Sequence, residues 1–124
     1  MKESDRLSDV LKYFRESQTL YNIALKGAED KQLLQEDLLH KLEFKDKTAA
    51  ERNKTTTAMK RCRDERRRHK DRIELLRELN EFINSNQPVI KRLEKILGDM
   101  RRIEENQSKR VYKPRIMTEK EWGE

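Results

Sequence analysis

The residues able to do chemistry are few: His40, His69 and one cysteine, Cys62, set among carboxylates. Glu36 and His40 are four apart, as are Glu65 and His69, and Asp37 and His40 are three apart. On a helix each pair shares a face. A di-iron bundle needs Glu-x-x-His on two helices and two more carboxylates. Here the three-residue spacing carries Asp and occurs once, so both histidines read as ordinary interface or surface residues, and neither a metal nor another cofactor is expected.

Cys62 lies in Lys60-Arg61-Cys62-Arg63, where neighbouring positive charge favours a thiolate. A nucleophile also needs an oriented base and an oxyanion hole. No Gly-rich elbow or phosphate loop is present, since Gly27, Gly98 and Gly123 stand alone. The expectation is a chain without catalytic residues that works by binding.

The surface feature that stands out is Lys60 to Arg72, with seven Arg or Lys beyond Lys60 itself. On a helix Arg63, Arg66, Arg67 and Lys70 share one broad face, while Arg61 and Arg68 line another. Such a helix suits a phosphate backbone. It lacks the apolar heptads of a basic-region zipper and the interleaved aromatics of a single-strand binder. Three other readings compete: a solvated face, charges paired with Glu36, Asp37 and Glu43 on a neighbouring helix, or contact with an acidic protein surface. A second basic segment, Arg110-Val111-Tyr112-Lys113-Pro114-Arg115, has the makings of a docking peptide or of a frayed end. The candidate binding residues are therefore Arg61, Arg63, Arg66, Arg67, Arg68, Lys70, Arg110, Tyr112, Lys113 and Arg115.

The elements that must position them follow from composition. Of 124 residues 44% are charged, 33% hydrophobic and 6% aromatic, with three Gly and two Pro. Abundant Lys, Arg, Glu and Leu with so few breakers favour long helices. So small an apolar share fills stripes rather than a thick core, and burial between chains is expected. The net charge of +6 sits in two places: residues 51–72 carry +6 and residues 101–115 carry +4, while every other segment is slightly acidic. No apolar run reaches the roughly 18 residues of a membrane span. The N-terminus has no signal-peptide core. A single cysteine suits a reducing compartment. A soluble, cytoplasmic protein is expected.

Leu7, Val10, Leu11, Phe14, Tyr21, Ala24 and Leu25 mark a first amphipathic helix, resumed by Leu34, Leu38, Leu39 and Leu42. Ser4 and Ser8 are candidate caps. Gly27 leaves open one kinked helix or two in sequence, over about 5–43. Thr48-Ala49-Ala50-Glu51 is a capping box for a helix to about residue 84. Asn84-Ser85-Asn86-Gln87-Pro88 is the clearest turn, and Val89 to Ile103 continues the apolar pattern to about residue 107. The expected fold is all-α: an antiparallel hairpin of about 49–84 and 88–107, packed with the N-terminal helix or helix pair. Residues 1–107 form one domain, and 108–124 a basic, partly extended tail.

Three stretches carry a resemblance. Gln35-Glu36-Asp37-Leu38-Leu39-His40-Lys41-Leu42-Glu43 resembles an Asp-Leu-Leu-His-x-Leu-Glu motif. Arg66-Arg67-Arg68-His69-Lys70-Asp71 resembles Arg-Arg-x-x-Lys-Asp, and Arg110 to Arg115 resembles an Arg-x-Tyr-x-Pro-Arg ending. Together they resemble a family of small, functionally uncharacterised proteins of phages and prophages of Gram-positive bacteria, over about Tyr21 to Arg115. The resemblance implies an accessory role in the bacterial cytoplasm and brings no catalytic residues. The motif positions Asp37, His40, Glu43, Arg67, Lys70 and Asp71 are expected to form a polar network between the first two helical stretches. The expected function is to bind and modulate a host protein or nucleoprotein complex, as an anti-defence inhibitor does. Direct nucleic-acid binding in replication, recombination or regulation is the alternative, and a structural homo-oligomer the third.

Overall fold

The computed structural model describes residues 1–123. It contains three long helices, α1 (Glu3–Phe44), α2 (Ala49–Ser85) and α3 (Gln87–Ser108), and a single turn, α4 (Glu119–Trp122). No strand occurs among the described residues, so the chain is all-α.

Each boundary has a local cause. Thr48 caps α2: its hydroxyl accepts from Glu51 N–H at 3.1 Å, and the Glu51 carboxylate accepts from the amides of Lys47 and Thr48. Asn86 leaves helical geometry at φ −123°, ψ 35°, and Pro88 lies in the first turn of α3, where no intrahelical donor is missed. Gly27 does not interrupt α1, which is one helix of 42 residues. At ~1.5 Å per residue it is about 63 Å long.

α1 and α2 lie antiparallel. Gly27 faces His69, Lys31 pairs with Glu65, and the Lys41 ammonium donates to Thr55 Oγ1 at 3.4 Å. Each step along α1 is matched by an equal step back along α2. The α2 residues Thr55, Met59, Cys62, Ile73, Leu76 and Ile83 are buried, at the alternating three- and four-residue spacing of a coiled-coil seam. Half-buried Arg66 and His69 fill the same register between Cys62 and Ile73.

The three helical stretches and the turn at 84–88 are as expected, but the pairing is not. The close antiparallel partner of α2 is α1, and α3 packs chiefly on α1. The Ser4 amide and hydroxyl donate to Glu104 Oε1 at 3.0 Å and Oε2 at 2.6 Å. Had α3 returned along α2, Glu104 would lie level with Ala28, about 36 Å of helix from Ser4. Instead α3 carries the second arm onward to the N-terminal end of α1. The apolar core cluster is there, where Leu11 meets Ile83, Ile90 and Leu97, with Leu7, Phe14, Leu79 and Leu93 around them. A one-residue break at Asn86 bends the arm without folding it back on itself.

A candidate anion-binding face

The centre of α2 is held by polar contacts. Cys62 is buried, and its thiol donates to the Lys31 carbonyl at 3.1 Å. That places it inside the seam, shielded from solvent. The Lys31 ammonium pairs with the Glu65 carboxylate. This hydrogen bond lowers the Glu65 pKa below the usual carboxylate value and raises that of Lys31. The metal candidates are dispersed: Cys62 and His69 lie in the seam, whereas the His40 ring tilts against Phe44 at 6.1 Å between centroids. Among the described residues no group of three His, Cys, Asp or Glu could hold a metal ion.

Against this packed side, α2 presents an unpacked one. Arg63, Arg66, Arg67 and Lys70 fall at i, i+3, i+4 and i+7, and with Gln35 of α1 they line an open cleft of about 310 Å³. None of the four cations forms an ion pair among the described residues. Among the described residues no carboxylate lines the cleft. Arg66 Nε and Gln35 Oε1 are buried atoms without a hydrogen-bond partner. Chemically the cleft can hold an extended anion, a carboxylate or phosphate, through charge-assisted and bidentate guanidinium bonds.

The other expected residues lie elsewhere. Arg68 borders a separate depression with Glu65, His69 and Arg72, and Arg61 another with Asn53, Lys54 and Thr57. Arg110, Tyr112, Lys113 and Arg115 are exposed on the tail. There Tyr112 packs on Trp122 at 4.9 Å, and Arg115 lies beside them. The tail leaves α3 at the Ser4 end, whereas the cleft lies near Gln35, so about 46 Å of α1 separates them. The chain thus holds two cationic segments rather than one continuous patch.

The network expected among Asp37, His40, Glu43, Arg67, Lys70 and Asp71 is not assembled. In the observed register Asp37 is level with Met59, eight residues and about 12 Å of rise from Arg67. No ion pair joins any of the six among the described residues. The ion pair that does cross the seam joins Glu65 of α2 to Lys31 of α1. Sequence reasoning missed Lys31, Glu65 and Gln35 because their roles depend on helix register, which no local pattern reports. No family model, no curated protein and no solved structure matches this chain.

Proposed function

We propose that this chain is a non-enzymatic interaction protein that binds an anionic surface on a host protein or nucleoprotein complex and modulates it. The supporting observation is the cleft of Arg63, Arg66, Arg67 and Lys70, four cations on one face with no carboxylate among the described lining residues. Like charges at helical spacing repel, which a free solvated helix has no need to accept. An anionic partner turns that repulsion into attraction and speeds encounter. The motif resemblance at residues 35–43, 66–71 and 110–115 supports a phage origin and a bacterial cytoplasmic setting. Inhibition of a host defence complex is the form of modulation to test first.

Affinity purification from host cells with the intact chain and with Arg63→Glu/Arg67→Glu tests the reading. A partner captured by the first and lost by the second is the expected result. Equal capture by both sinks the proposal.

Direct nucleic-acid binding is the second reading, favoured by the straight i, i+3, i+4, i+7 run of cations along α2. Neutralising Arg63, Arg67 and Lys70 with Gln then lowers the slope of log affinity against log salt by about 2.7, at about 0.9 per phosphate contact. Absence of duplex and single-strand binding at low salt rejects it.

A further inference from the structure

Ile83, Ile90 and Leu97, buried in one cluster with Leu11 of α1, keep seven-residue spacing across the bend at Asn86. One residue earlier in the same repeat stand Leu75, Phe82, Val89, Ile96 and Ile103. These five are 78%, 50%, 50%, 36% and 53% exposed. Seven-residue spacing of large apolar side chains supplies one of the two apolar positions of a helix–helix seam. Nothing in the described chain covers this one. Leu79 and Leu93, set between its members, are already anchored in the core, so the flank is backed by packed side chains.

The residues just before each member are Glu74, Glu81, Pro88, Lys95 and Arg102. Acids precede the first half and bases the second, with Val89 at the midpoint. A parallel partner of the same sequence would oppose Glu to Glu and Lys to Lys. An antiparallel one centred on Val89 opposes Glu74 to Arg102 and Glu81 to Lys95, while Phe82 meets Ile96 and Leu75 meets Ile103. Self-complementarity of this kind is what a two-fold interface requires.

The surface area agrees. The accessible surface is 10470 Å² for a chain of 15.1 kDa. A compact monomer of that mass exposes about 7,100 Å². The excess of about 3,400 Å² is spread over the whole elongated chain, and exceeds the ~1,600 Å² in total that a standard interface removes.

We infer that the Leu75–Ile103 flank pairs with the same flank of a second copy of this chain, antiparallel about a two-fold axis at Val89. The assembly keeps Arg63, Arg66, Arg67 and Lys70 outside the contact and displays one cationic cleft toward each end. The inference does not rest on the proposed partner.

Sedimentation velocity of the full chain tests it, alone and as variants, with far-UV circular dichroism to confirm helix content. The full chain should be a dimer. Val89→Glu puts two like charges on the axis and should raise the dimer dissociation constant by at least about tenfold. Glu81→Lys should weaken the dimer, and Glu81→Lys/Lys95→Glu should restore it, which separates the antiparallel pairing from a parallel one even if Val89→Glu perturbs folding. A monomeric full chain overturns the inference. So does a dimer indifferent to Val89→Glu, or a double charge swap no better than the single one.

Discussion

Gly27 and His69 share a space that admits only one side chain. A Cβ built on Gly27 would lie 2.5 Å from His69 Cε1, 2.6 Å from Nε2 and 2.8 Å from Nδ1. The glycine is therefore the socket into which the α2 imidazole packs, and α1 runs through it without a break. The close approach, rather than flexibility, explains a glycine in the middle of a 42-residue helix.

Gly27→Ala should lower the melting temperature, because the methyl displaces the imidazole and the gain in helix propensity does not compensate. In a His69→Ala background the same change should stabilise by about 1 kcal/mol, the ordinary Gly-to-Ala gain in a helix interior. Thermal melts of the four proteins form a cycle, and equal effects in both backgrounds would dismiss the socket.

Acid should loosen the α1 packing at two places, its N-terminal end and its contact with the centre of α2. Hydrogen bonds from Ser4 to Glu104, and from Lys31 to Glu65, hold both carboxyl pKa values below 4.5. Depressed folded values mean that the stabilisation is present above the unfolded pKa and is lost as pH falls through the folded value. Stability should thus decline below about pH 4.5, and Glu65→Gln with Glu104→Gln should flatten that decline. The raised Lys31 pKa acts at the other extreme: its contribution is complete below 10.5 and is lost at still higher pH. Urea midpoints measured across pH read both limbs.

Ile83 is 2% exposed at the junction of all three long helices. Ile83→Ala should cost about 2–5 kcal/mol. Because the α3 contacts with α1 pass through this cluster, amide exchange should accelerate over residues 90–104 before it does over 55–69. Uniform acceleration would mean that α3 is held by something else.

Arg63 has Lys60, Arg66 and Arg67 at its three- and four-residue positions and no acid. Arg63→Glu replaces these repulsions with attractions, each about 0.2–0.5 kcal/mol, and should stabilise the free chain by about 1 kcal/mol. Partner capture should fall in the same variant. A gain in stability with a loss of binding marks a residue placed for a partner rather than for the fold. Loss of both would assign Arg63 to packing.

Thr48→Ala removes the acceptor for Glu51 N–H and should cost about 1 kcal/mol, with fraying confined to the start of α2. Thr48→Ser should behave as the parent.

Helix content, the Thr48 cap, the break at residues 84–88 and the cationic face of α2 were legible in the chain itself. Each depends on neighbours within four residues or on a single-helix period, and such interactions act wherever the helix finally lies. The pairing of the helices was not legible. Apolar stripes on three segments state that each needs a partner but not which one, so a return of α3 along α2 and its run along α1 satisfy the same pattern. Ser4 meeting Glu104, Lys31 meeting Glu65 and His69 seated on Gly27 decide between them, and all three are contacts across the register. The register also separates Asp37 from Arg67 and gathers Gln35 with Arg66. The sequence by itself thus determined the helices and the charge they carry. The tertiary structure decided which charges remain without a partner, because that depends on the few ångströms by which one helix slides along another.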